Sequence, residues 1–296
     1  MILFMTWFFY ALLTAFLSSL AAIFERRALY HMHSIDFSAA IAFVTAILTL
    51  PFLFTSSWES ISIKVLLLTF TLSFVAALAF LSVTRGVRHM EISLSSPLFL
   101  FGPLITTLFA FIILGERVTS MQITGMCVLL VGAYVLETTH LLSGGEFWKN
   151  TWGNLYSRFI LVGLILYGLT SIGDRIILKT WEVPVPLYTA LIQLFIAVQF
   201  LFLTWHFRGS PKASIILVQK YWKSLVVLAI LTIGYRMAQG NAIAIAASVG
   251  LVIAIKRSAN LFTTLIGGEI FHDHNIWRKT LACAIMVVGV CLIALK

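Results

Sequence analysis

Charge is what this sequence has least of. Of its 296 residues only 10% are charged, whereas a soluble domain carries about 25%. Acids are scarcer than bases, 11 Asp and Glu against 20 Lys and Arg, and 60% of the residues are hydrophobic. The mean hydropathy is +1.02. These values exclude a soluble globular domain and describe a polytopic membrane protein. Cysteine is also rare. Cys127, Cys283 and Cys291 lie inside apolar runs, where cysteine acts as a small hydrophobe, so neither a disulfide framework nor a metal cluster is expected. No phosphate-binding loop, nucleophile elbow or His-Glu metal motif occurs, which leaves no basis for an enzyme or an ATP-driven pump. No cofactor is expected. The first apolar segment has no basic region or small-residue cleavage site before it, so it reads as a membrane span and not as a signal peptide. The formal net charge of +9 reads as topology signals and contacts with lipid headgroups rather than as a nucleic-acid surface.

What is present in quantity is apolar sequence. Ten segments of roughly membrane-spanning length can be marked in the chain, at about residues 5–24, 37–55, 65–84, 92–114, 121–136, 155–178, 185–205, 225–243, 247–269 and 276–295. Charges punctuate them. Glu25-Arg26-Arg27 closes the first, Arg85 and Arg88 the third, and Gly115-Glu116-Arg117 the fourth, while Arg208, Lys212, Lys220 and Lys223 form a basic loop before the eighth. Arg85, Arg88, His89 and Glu91 read as a solvated turn. His272-Asp273-His274 lacks the further ligands a metal site needs.

The two halves are related. Gly115-Glu116 aligns with Gly268-Glu269, and the same offset places Leu108 on Leu261, Phe109 on Phe262, Ile113 on Ile266 and Ser95 on Ser248. A slightly smaller offset places Glu25-Arg26 on Asp174-Arg175, and a larger one, absorbed by the His272–His274 loop, places Gly132 on Gly289. The expected fold is an all-α membrane protein of ten transmembrane helices in two inverted five-helix repeats, residues 1–137 and 155–296, joined by a linker at 138–154. An odd number of spans per repeat inverts the second, the plan of secondary transporters with a midplane site between repeats.

Pro103, the Leu114-Gly115-Glu116-Arg117-Val118 ending, Gly125 and Gly132, with the degenerate second copy at Gly268-Glu269 and Gly289, resemble the drug/metabolite transporter superfamily in its ten-helix, EamA-like form, over essentially the whole chain. The resemblance implies secondary transport of a small molecule. Members of the superfamily export amino acids and drugs, or move sugars, nucleobases and phosphorylated metabolites. One departure is that Lys256 stands opposite Pro103 in the repeat alignment. The Lys256-Arg257 pair is similar to one in the plastid phosphate and nucleotide-sugar translocators, where such a pair contacts substrate phosphate.

Lys256 and Arg257 are also the main anomaly of the residues themselves. A charge at the bilayer centre costs about 3 kcal/mol on insertion scales, so two adjacent cations there need a polar cavity, an acid or a substrate. They point about 100° apart on a helix, so they cannot serve one atom equally. Each is either a substrate contact or part of an ion pair, with Asp174 or Glu25 as the available acids. Arg236 lies deep in the eighth segment beside Tyr235, Gln239 and Asn241. Asp174 follows a stretch of small and polar residues from Tyr167 to Gly173 and is a candidate counter-ion or proton-coupling acid, with Glu25 its counterpart in the first segment. Tyr167, Gln193, Ser258 and Asn260 complete the candidate cavity lining. Glu116 and Glu269 read as capping or gating contacts at the membrane edge.

The expectation is therefore an integral, multi-pass protein of a bacterial inner or cell membrane, not an enzyme. It would carry a small organic metabolite with a carboxylate or phosphate group by alternating access. Its partners would be the substrate, membrane lipid and a coupling proton or counter-substrate, as a monomer or homodimer and without nucleic acid. Two alternatives stand beside it: an exporter of amino acids or of hydrophobic and cationic compounds, and a non-transporting assembly or lipid-binding protein. Loop charges alone lean toward external termini, whereas the resemblance implies cytoplasmic ones, which we keep as the expectation.

Overall fold

Ten α-helices follow one another without an intervening strand among the described residues. The structure, a computed structural model, describes residues 2–29, 34–90, 96–137, 154–208, 210, 212–259, 262 and 276–294. The helices are α1 (Ile2–Leu29), α2 (Ser34–Thr55), α3 (Ile63–His89), α4 (Phe101–Leu114), α5 (Ser120–Glu137), α6 (Leu155–Arg175), α7 (Val185–Arg208), α8 (Lys212–Ile245), α9 (Val249–Lys256) and α10 (Ile276–Ala294). A 3-10 turn, Ser96–Leu100, leads into α4, and a π turn, Ile176–Thr180, extends α6. Six helices are long and apolar enough to cross a membrane. They include α1, α2, α3, α6, α7 and α8, and shorter apolar helices cover 98–114, 120–136 and 281–294.

Lipid-facing and inward-facing residues explain why these runs are helices. With water absent, every backbone group must be bonded inside its own segment, and helices achieve that. Large apolar side chains such as Phe54, Leu67, Phe111, Ile112 and Phe202 remain exposed, as suits a lipid-facing surface. The buried side is instead rich in alanine, serine and threonine. Many hydroxyls on that side bond back to carbonyls of their own helices, as Thr14 does to Tyr10 and Thr69 to Val65, which satisfies their donors within the helix.

Small residues also set which helices meet. The α5–α10 crossing is built on Gly125, Gly132 and Gly289. A Cβ on Gly125 would lie 2.7 Å from the Ile293 nitrogen, one on Gly132 2.8 Å from the Met286 nitrogen, and one on Gly289 2.7 Å from Leu129 Cα. Backbones this close require glycine, and in lipid such close packing drives helix association. The other principal pairings are α3 with α6, α1 with α8, α2 with α7, α2 with α8, α3 with α7, α4 with α6, α1 with α9, and α4 with α9.

Several segment ends differ from the sequence expectation. The basic stretch before the eighth segment is not a loop: Lys212, Lys220 and Lys223 lie on the first turns of α8. Arg85, Arg88 and His89 are not a turn either, because α3 continues through His89. Cations at a helix C-terminus are favoured by its partial negative charge, which offsets their interruption of the apolar run. Glu91, Ser95, the linker apart from Asn154, Asn260, Gly268, Glu269 and the His272–His274 loop lie outside the described residues. Asn154 caps α6, its side chain accepting from the Tyr156 N–H.

Candidate functional site

The two ends of the α8–α9 connection show how charge enters the fold. α8 ends at Ile245 and α9 begins at Val249, with Ser248 as its N-cap. Arg175 reaches the C-terminus of α8, donating to the Ile243 and Ala246 carbonyls, the latter at 2.6 Å, and to Ala247 at 3.2 Å. Its Nε donates to Glu116 Oε1 at 2.7 Å, with the two side chains only 4% and 11% exposed. Glu116 Oε2 in turn accepts from the Val249 N–H at 2.9 Å. A cation thus sits on the negative end of one helix and an anion on the positive end of the next. Gly115 makes this possible. Its left-handed φ of 66° ends α4 and turns the chain so that Glu116 points back into the bundle. The Gly-Glu pair is therefore a helix stop followed by a cap for another helix.

Asp174, the residue before Arg175, goes elsewhere. It accepts a hydrogen bond from the Tyr188 hydroxyl and lies close enough to Arg236 and Lys256 to interact electrostatically. Tyr167, two turns earlier on the same face of α6, is within the same reach of Arg236, Tyr235 and Glu25. From α8, Tyr235, Arg236 and Gln239 share one face. From α9, Lys256 donates to Gln239 Oε1 at 2.7 Å and sits 4.8 Å from the Tyr235 ring centroid. Arg236 also interacts electrostatically with Tyr188, yet its buried Nε has no hydrogen-bond partner. Four helices therefore bring two cations, an acid and three tyrosines together, with Glu25 of α1 at the edge.

The other candidates fall outside this group. Arg257 caps α9 on a different side, its guanidinium 5.5 Å from the Phe99 ring centroid. There it fills the space over Gly102, where a Cβ would lie 2.9 Å from its Nη2. The Asn241 side chain donates to its own helix, to the Met237 carbonyl at 2.8 Å. Gln193 is buried on α7, but lies about 140° around that helix from Tyr188. Ser258 bonds to the Ile255 carbonyl. Tyr188 is the member that sequence reasoning missed. Its signal was a tyrosine just inside a span entered through Pro184 and Pro186, since a buried tyrosine hydroxyl needs a partner. The π turn directly after Arg175 was equally unannounced, and such turns occur often at functional sites. A groove between α2 and α7 is lined by apolar residues only, among them Phe43, Ile47, Leu50, Leu194 and Leu201, and offers a polar solute nothing.

The likeness to known proteins agrees with this architecture. A solved crystal structure has the same fold, with a TM-score of 0.71 at 16% sequence identity, covering 97% of this chain and 94% of its own. No curated protein matches the chain. Residues 5–138 of this integral multi-pass membrane protein match the model described as the EamA-like transporter family, so its first half is similar to the proteins of that family.

Proposed function

We propose that this protein is a secondary transporter that carries a small organic anion by alternating access, and that Arg236 is the residue that holds the anion. The carrying observation is the buried, unpartnered Nε of Arg236 within a polar cluster on four helices. An unpaired buried donor costs about 1–3 kcal/mol, and a carboxylate or phosphate would satisfy it with two parallel bonds. Lys256 is already engaged by Gln239 and the Tyr235 ring. It adds positive potential and is the second contact. Asp174, held by Tyr188, is the counter-ion when the site is empty and the natural acid for proton coupling.

The proposal includes two inverted five-helix repeats, 1–137 and 155–296. Exchange each helix with the one five places away, and every principal pairing maps onto itself or onto another: α3–α6 onto α1–α8, α4–α6 onto α1–α9, α2–α8 onto α3–α7, with α2–α7, α4–α9 and α5–α10 unchanged. Such a pattern supports two halves that rock about a shared site. Lys256 ends α9 at a position that aligns with Pro103 in the first turn of α4, just after the 3-10 turn.

A specific observation also keeps a second substrate class in view. The cluster carries an acid beside its cations, so an exported compound with a cationic group would have Asp174 as its partner. Counterflow in proteoliposomes separates the two. Carboxylates and phosphates should compete for transport, and Arg236→Ala should abolish it. Competition by cations alone, with Arg236→Ala still active, would overturn the anion reading.

A further inference from the structure

The first turns of α8 have a property the transport site does not use. α8 has 34 residues, about 51 Å of helix, whereas the hydrocarbon core of a bilayer is about 30 Å thick. The backbone leaves helical geometry at Tyr221, with φ −119° and ψ 22°. Before and around that break the two sides of the helix differ. Leu217, Val218 and Tyr221 pack inward beside a core group that includes Ala21, Phe37 and Leu225. Outward stand Ile215, Ile216 and Trp222, at 51%, 58% and 54% exposure, together with exposed Lys212, Lys220 and Lys223. Lys220 and Lys223 each lie over the ring of the next or preceding aromatic, 5.2 Å from Tyr221 and 5.7 Å from Trp222. Trp205 and Phe207, at the end of α7, add exposed aromatic surface beside the start of α8. No acidic residue occurs between Glu182 and Glu269, so these lysines have no acid nearby in the chain to neutralise them.

Apolar and basic residues on one outward surface, at the end of an over-long span, have the chemistry of the bilayer interface. From this juxtaposition we infer that residues 212–223 form a membrane-surface helix that binds anionic phospholipid headgroups of one leaflet. Ile215, Ile216 and Trp222 rest at the acyl boundary, and Lys212, Lys220 and Lys223 lie on the headgroup phosphates. Each lysine near an anionic membrane surface adds about a fivefold preference. The inference does not depend on what the protein transports.

The test uses the full chain with its three cysteines replaced and a single Ile216→Cys labelled with bimane. It is reconstituted in mixed phosphatidylcholine–phosphatidylglycerol vesicles with one lipid brominated on its acyl chains. The expected result is bimane quenched by brominated lipid, shielded from aqueous iodide, and quenched more by brominated phosphatidylglycerol than by brominated phosphatidylcholine. Replacing Lys212, Lys220 and Lys223 with Gln should remove the difference between the lipids while leaving the acyl-chain quenching. Free access of iodide, absence of lipid quenching, or equal quenching by both lipids with the native lysines would each overturn the inference. Free inorganic phosphate added in excess should not change the pattern. Loss of the lipid preference on its addition would assign the lysines to soluble phosphate and overturn the lipid assignment.

Discussion

Asp174 and Arg175 are neighbours in the chain and end in opposite electrostatic situations. Arg175 is fully engaged. Glu116 and three carbonyls satisfy it, and its whole arrangement ties α4, α6, α8 and α9 together at one end of the bundle. Asp174 enters a group whose strongest donor, Arg236, lacks a partner for its Nε. The first arrangement is what stability requires: opposite charges, each on a helix end of complementary sign. The second withholds a bond that the fold could have made. Buried polar groups left unsatisfied lower stability, and such sites persist where function uses them. The comparison sets a fully paired Glu116–Arg175 group against the Arg236 group to which the proposed function assigns the substrate, and it can be tested from both sides.

The largest expected effect is on the structural side. Glu116→Ala removes one partner of a buried ion pair and also removes the acceptor of the Val249 N–H at the start of α9. Breaking such a pair costs about 3–5 kcal/mol, because the remaining charge is left uncompensated. Thermal unfolding in detergent should show a large loss of stability, and Glu116→Gln, which keeps an acceptor, a smaller one. If both variants melt with the native protein, the pair is not what secures the α8–α9 connection.

A smaller stability effect, with a larger functional one, is expected at Arg236. Arg236→Met keeps much of the side-chain volume and removes the Nε donor that has no partner. It also removes a cation that acts on Asp174, so the charge left over should be relieved by adding Asp174→Asn: the double variant should melt close to the native protein while transport is lost. A steep loss of stability with transport retained would reverse the assignment of the two groups.

Much of this arrangement was legible in the sequence, for physical reasons that also mark where legibility ends. Helices in lipid must be long and apolar, so the segments stand out. The glycines at 125, 132 and 289 are visible because no other residue permits backbones so close. Deep charges are costly enough that Arg236, Lys256 and Asp174 attract notice individually. What a one-dimensional pattern lacks is direction. The Asp174-Arg175 dipeptide looks like one ion pair, yet the two side chains leave α6 about 100° apart and find partners on different helices. Lys256 and Arg257 separate in the same way. The lysines of α8 resemble a loop because charges that interrupt an apolar run read the same in one dimension whether or not the helix continues through them.

The smallest expected effect lies within α8 itself and is the most demanding check of direction. Asn241 is two residues from Gln239, hence about 200° around the helix, and its amide donates to the Met237 carbonyl of its own helix. A local bond of this kind competes with water and with alternative helix contacts, so Asn241→Ala should shift stability by no more than about 0.5 kcal/mol and leave transport unchanged. Gln239→Ala, by contrast, frees Lys256 from its only hydrogen-bonded partner among the described residues and should weaken substrate competition without unfolding the protein. The pair of variants isolates one face of one helix. If Asn241→Ala impairs transport and Gln239→Ala does not, the substrate lies on the other face of α8 and the Arg236 group is part of the scaffold.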